Sequence, residues 1–294
     1  MFHSGDTFLK HLEDCFRQFR IFNPDVKVYF LTDRKWMNDD VFAKYNIDVL
    51  NKDEYYSPKV DLYQVYFKAS YKPKDFFWII TALRFIYIEN FMKAHKLVNM
   101  CHFENDIMIY HNINRYHDKF VKLYPSMAIT VGGGDKCMTG FMFIKNFSAL
   151  ERMTHYFTEL LRKYDKRKII DIYGMDMVNE MTLMRAYSKD YPDHLALLPI
   201  LPFGEFSSNF EEFDSVFDPA SFGQYIGGTF NGTGPGAKPE DHYIGQLLRQ
   251  HPEYDVVWKR ESRGIVPYFK YNGNEVRINN LHIHSKELHK YLSK

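Results

Sequence analysis

The stretch Lys96-Leu-Val-Asn-Met-Cys-His102-Phe103-Glu104-Asn105-Asp106, running on into Ile107-Met-Ile-Tyr110, governs how the chain reads. A largely apolar run ends in a triplet that carries two carboxylates. Alternate residues of an extended segment face the same side, so Glu104 and Asp106 are presented together. Two hard oxygen donors held that way suit Mn²⁺ or Mg²⁺, which in turn suits a diphosphate. A capped turn beside one solvated acid has the same local sequence, so the surroundings decide. In open α/β sheets, ligand sites lie beyond the carboxyl ends of the strands.

Upstream of the triplet, Phe76 to Ala94 reads as a long buried helix that carries Thr81 and Arg84. Asp6 to Arg20 spaces Phe8, Leu12, Cys15, Phe16 and Phe19 by three and four residues, an amphipathic helix. Val26 to Leu31 is an extended run ending at Thr32-Asp33; a short helix, Asn38 to Lys44, and a strand around Ile47 to Leu50 follow. Downstream, Met127–Val131 and Gly140–Ile144 read as strands around a Gly132–Gly134 turn. That turn is too bare for a phosphate loop, because no Lys-Ser or Lys-Thr follows it. Helices are expected over Ser148–Lys166 and Asp171–Tyr187, and strands over Leu195–Leu201, Asp255–Trp258, Val276–Ile278 and Leu281–His284. Residues 206–239 turn to Gly, Phe, Ser, Asn and Pro, the material of loops that cover sites. With no repeat and no linker, the expectation is one α/β domain over 1–294. Its central sheet should be mostly parallel, with helices on both faces.

Composition bounds the function. With 294 residues, 45% hydrophobic and 26% charged, the chain is globular. Lys+Arg 38 against Asp+Glu 37 leaves a net charge of +1, too little for a global grip on nucleic acid. Aromatic residues reach 17%, a surplus that suits cores and sugar-facing surfaces alike. Three cysteines, none in a C-x-x-C pair, fit a reducing compartment. The opening Met-Phe-His-Ser-Gly-Asp has no signal-peptide pattern, and Phe76 to Ile88 is too short and too polar to span a bilayer. A cytoplasmic protein with no membrane span is expected.

Taken in order, Thr81-Ala-Leu-Arg84, Glu104-Asn105-Asp106, Gly140-Phe-Met-Phe-Ile-Lys-Asn146 and Leu281-His-Ile-His-Ser-Lys286 resemble the GT-A-fold nucleotide-sugar glycosyltransferases. The resemblance spans about residues 25 to 290 and is of the kind met in bacterial surface-polysaccharide and large-DNA-virus enzymes. It implies a Rossmann-like GT-A domain, with 1–145 mainly binding the donor and 146–294 mainly the acceptor. It implies a nucleoside diphosphate sugar donor (UDP favoured), a glycan or glycoprotein acceptor, and Mn²⁺ or Mg²⁺ as cofactor. Carried over by position, Asp106 and Glu104 are metal ligands, completed by His282 or His284, with His284 slightly favoured. Arg84, Thr81, Glu104, Asn105 and Lys286 contact the donor. Two departures stand out: Glu104 where the family has Asp, and only a stub of the first strand at residues 1–5.

An inverting reaction is expected, with Asp176 as general base at what resembles an acidic helix start, Asp176-Met-Val-Asn179-Glu180. Asp218 is its competitor, on a loop that also brings Tyr225 and Gly227-Gly228, and Glu180 is a further alternative. Two other functions fit less of the sequence. A metal-dependent phosphoester hydrolase would need more clustered ligands. A sugar-binding module that lost the reaction rests on Glu104 alone.

Overall fold

The structure is a computed structural model that describes residues 1–69, 76–133, 136–226 and 242–294. Gly134, Asp135, Gly227 and Gly228 lie outside the described residues, as does most of the later part of the expected covering loop. The strands are β1 (Tyr29–Thr32), β2 (Asp48–Asn51), β3 (Val98–Phe103), β4 (Ile107–Ile109), β5 (Met127–Gly133), β6 (Lys136–Asn146), β7 (Leu195–Leu197), β8 (Ser215–Val216), β9 (Asp255–Glu261), β10 (Gly264–Tyr271), β11 (Asn274–Ile278) and β12 (Asn280–His282). The helices are α1 (Leu12–Phe22), α2 (Asp40–Lys44), α3 (Pro58–Ala69), α4 (Phe76–Ala94), α5 (Ile113–Leu123), α6 (Phe147–Lys163), α7 (Lys166–Tyr173), α8 (Glu180–Asp190), α9 (Phe210–Phe213), α10 (Phe222–Ile226) and α11 (Tyr243–Gln250).

The α/β class is as expected, and helices cover both faces of the central sheet β3-β6-β5-β7. Alternation explains why β5 and β6 read as unbroken apolar runs. Ala128, Val131, Phe141 and Phe143 join the core built with α1 and α5. Met127, Ile129, Met142 and Ile144 join the one built with α3, α4, α6 and α8. The pairing, however, is mixed rather than mostly parallel. β1–β2, β5–β7 and β8–β11 run parallel; β3–β6, β5–β6, β4–β12, β9–β10 and β10–β11 run antiparallel. Only two residues separate β5 from β6, too few for the crossover that a parallel pair needs, and the two strands pair antiparallel.

Several boundaries moved. The expected helix Asp171–Tyr187 is two helices: Gly174, at φ +64°, ends α7, and the reciprocal Asn179–Thr182 capping box opens α8. The first helix begins at Leu12, since residues 3–11 form a loop tied to Asp33 through the Gly5 N–H. Helices α3 and α5 and strand β10 escaped the sequence reading; α5 buries only Ile113, Tyr116 and Phe120, a sparse stripe. The strand expected at Leu195–Leu201 stops at Leu197. Among the described residues no helix is long and apolar enough to cross a membrane.

The element that builds the site is β12. It runs antiparallel to β4 and sets His282 opposite Ile107, so the end of the chain folds back onto the acidic triplet.

Candidate active site

The triplet occupies the turn between β3 and β4. Glu104 N–H donates to Gly140 C=O at 2.9 Å and Ile107 N–H to Glu104 C=O at 3.2 Å, which fixes where both carboxylates emerge. Ile283 N–H donates to Asp106 C=O at 3.0 Å, locking the C-terminal segment to the same turn.

The Asp106 carboxylate is buried, at 3% exposure. Its Oδ2 meets His282 Nε2 at 3.0 Å and the Lys286 ammonium. Burial alone would raise this carboxyl; the charges and hydrogen bonds of His282 and Lys286 outweigh it and hold the group well below its usual value. The same pairing, against burial, raises His282 above its usual value, with Glu104 adding to it. Glu104 lies between two cations: Arg84 Nη2 at 2.5 Å from Oε1, and His282 Nε2 at 3.5 Å from Oε2. Arg84 is itself buried on α4, and its Nη2 also donates to Thr139 Oγ1 at 2.7 Å.

Glu104, Asp106 and His282 each bring one ligand atom within 4.8 Å of the others. Two carboxylate oxygens and one imidazole nitrogen form a donor set that suits Mn²⁺, and tolerates Mg²⁺. Lys286 resting on Asp106 marks the same spot as one that draws positive charge. His284 is not part of this trio. Its ring stands beside His282, centroids 4.2 Å apart, as alternation predicts, but its Nε2 faces Gln224 Nε2 at 3.2 Å. Since the Gln224 amide nitrogen can only donate, His284 accepts there and is neutral; burial, with His282 adding to it, pushes its pKa down to about 2. Of the two histidines, His282 is the one grouped with Glu104 and Asp106 in a set that could hold a metal ion.

Two glycines make room for this geometry. A Cβ on Gly140 would lie 2.9 Å from His282 Nδ1, so the imidazole seats directly on that bare backbone. A Cβ on Gly223 would lie 2.3 Å from the His282 carbonyl oxygen, a contact with backbone that no rotamer relieves.

These groups open into a cleft of ≈ 670 Å³. Thr81, Arg84, Glu104, Asn105, Asp106, His282, His284 and Lys286 line it, with Phe2, His3, Ser4, Phe77, Trp78 and Glu180 among its other walls. Asn105 turns its Oδ1 to His11 Nε2 at 3.1 Å. Thr81 Oγ1 donates to Glu180 Oε2 at 2.8 Å. Glu180, the first residue of α8, is 4% exposed; burial raises its carboxyl above the usual value, with Arg84 and Thr81 pulling the other way.

The two carboxylates expected to serve as base are placed elsewhere. Asp176 sits in the turn between α7 and α8, not at a helix start, and does not line the cleft. It is largely exposed and pairs with Lys136 Nζ at 3.2 Å. Asp218 is buried and spent on backbone. Its Oδ1 accepts from Ser221 and Phe222 N–H, and its Oδ2 from Gly223 and His282 N–H, all between 2.7 and 2.9 Å. With both oxygens doubly engaged, it holds α10 and β12 in register and has no lone pair left for a substrate proton. Asn146, quoted in the resemblance, is the N-cap of α6. Glu180 was offered by sequence only as a further alternative to Asp176 as base; the cue to its place is the Asn179–Thr182 capping box, which makes it the first helical residue.

No family model matches the chain, and no curated protein does. Among solved structures, the chain is similar to the apo form of mouse xyloside xylosyltransferase 1, with 12% identity and a TM-score of 0.46, covering 67% of this chain and 83% of that one.

Proposed function

We propose that this protein is a glycosyltransferase of GT-A type that moves a sugar from a nucleoside diphosphate sugar, UDP favoured, to a hydroxyl of a glycan or glycoprotein. The observation that carries the reading is the convergence of Glu104, Asp106 and His282 in one cleft, flanked by Arg84 and Lys286. Two carboxylates with an imidazole suit a divalent cation, and two flexible or forked cations beside them suit a diphosphate. Residues 1–145 supply most of the donor wall; 146–294 supply Glu180, the C-terminal motif and the acceptor side.

When bound, the cation supplies charge against the departing diphosphate. The chain's residues do the rest. Arg84 holds Glu104 in place from α4. Lys286, half exposed, swings from Asp106 to the phosphates as a point charge. Glu180 takes the acceptor proton: it lies in the cleft, and burial moves its carboxyl toward the range where a base works near neutral pH. The transfer inverts the anomeric carbon.

The test is a thermal-shift screen of nucleotide sugars with and without Mn²⁺, followed by NMR of the first-formed product. Mn²⁺-dependent stabilisation by one donor and an inverted product are expected, because a ligand that binds the native state raises its melting temperature by mass action. Identical melting with every nucleotide sugar, with or without the ion, would sink the reading.

A further inference from the structure

Thr81 lies within α4, three residues after Trp78, so its hydroxyl falls over the preceding turn. Hydroxyls placed this way bond back to a main-chain carbonyl, and Thr81 Oγ1 has Trp78 C=O at 2.9 Å. The same oxygen stands 2.8 Å from Glu180 Oε2 on α8. A carbonyl and an ionised carboxylate both accept, and one hydroxyl has a single proton to donate. With Glu180 ionised, Thr81 serves one of the two at a time. Both bonds exist together only when Glu180 Oε2 carries a proton. It then donates to Thr81 Oγ1, which donates its own proton to Trp78 C=O.

Glu180 is placed where such a partner matters. It is 4% exposed, and the Asn179–Thr182 capping box fixes the turn from which it emerges. A buried carboxyl left unpaired is costly, charged or neutral. Burial raises its pKa; Arg84 from α4 and Thr81 lower it, and Glu104 from the β3–β4 turn raises it. Arg84 only donates, and an ionised Glu104 only accepts. Of these three side chains, Thr81 is the one able to do both.

We propose that Thr81 is the hydrogen-bond switch of Glu180. It donates to the ionised carboxylate and accepts from the neutral carboxyl, with Trp78 C=O taking the hydroxyl proton in the second state. This moves Thr81 from the donor contact that the resemblance implied to a positioning residue acting through Glu180. Its part in the reaction rests on Glu180 being the base. During transfer the acceptor oxygen bonds to the anomeric carbon, the bond from that carbon to the diphosphate breaks, and the acceptor proton passes to Glu180. The neutral carboxyl so formed keeps its hydrogen bond because Thr81 turns to Trp78.

The test needs no substrate. The chain has three tryptophans, so tryptophan labelled at the carbonyl with ¹³C gives three resonances, and Trp78→Phe identifies one of them. Glutamate labelled at the carboxyl reports the ionisation of Glu180, identified by its loss in Glu180→Gln. In the parent, the Trp78 carbonyl should shift with the same midpoint as the Glu180 carboxyl. In Thr81→Val that response should vanish. The Glu180 midpoint should also rise, because the charged form loses the stronger of the two bonds. Thr81→Ser, which keeps the hydroxyl, should stay near the parent. A Trp78 carbonyl indifferent to Glu180 in the parent overturns the switch, and needs no variant of Thr81 to be seen. So does a Glu180 midpoint unmoved in Thr81→Val. Full turnover in Glu180→Gln beside a responsive Trp78 carbonyl leaves the switch standing and removes the base reading instead.

Discussion

Glu180 and Asp176 are four residues apart in sequence and differ in almost everything that decides chemistry. One is buried in the cleft against Thr81, the other exposed against Lys136. Glu180→Gln keeps the shape and removes the basicity, so turnover should fall ~10²–10⁴-fold with donor binding retained. Asp176→Asn should leave turnover close to normal, and a large loss there would return the role to Asp176. The same pair carries a pH prediction. Burial raises Glu180 above 4.5 in the folded state, so its contribution to stability is present below 4.5 and is lost as pH rises through the raised value. Glu180→Gln has no such loss. Its melting temperature should therefore match the parent in acid and exceed it increasingly toward neutral pH, as calorimetry across pH would read. Between the histidines, His282→Ala should weaken Mn²⁺ affinity about 10–100-fold by analogy with lost metal-site support, and His284→Ala much less. Equal effects would contradict the ligand set.

At the scale of elements, Asp218 is the joint between α10 and β12, and it acts through main-chain N–H groups alone. Asp218→Asn leaves one oxygen where two served, so denaturant melts should show a loss of about 2–4 kcal/mol. Gly140 on β6 plays a different part. Gly140→Ala should drive the His282 ring off its seat, reducing Mn²⁺ affinity while far-ultraviolet circular dichroism stays native. Elements with a dense period were legible in sequence: α4 begins and ends where its apolar run does, while β5 and β6 contain theirs but run beyond them, β5 through the expected turn residues Gly132 and Gly133 and β6 from Lys136 to Asn146. Helix α5, polar on most sides, gave too thin a stripe. The split between α7 and α8 hinged on a single left-handed glycine, which a continuous amphipathic pattern conceals.

For the molecule as a whole, the sequence pointed to the acidic triplet because it sits where the apolar run of β3 ends, and the structure brings Thr81 and Arg84, from within α4, and the His282-Ile-His284-Ser-Lys286 segment to the same cleft. What sequence could not supply was which carboxylates share the cleft. That depends on β12 folding back on β4, a pairing between residues about 170 positions apart in which His282 rather than His284 meets Asp106. The mixed strand directions were hidden for the same reason, since a buried strand reads alike whichever way its neighbour runs. The proposed function stands or falls with Asp106 and its neighbours holding a divalent cation to which a nucleoside diphosphate binds. Isothermal titration of UDP into the full chain, with and without Mn²⁺, on the parent and on Asp106→Asn, tests it most directly. Binding should need Mn²⁺ in the parent and be lost in Asp106→Asn with the fold intact. UDP binding of equal strength without the ion, or unchanged in the variant, would contradict it.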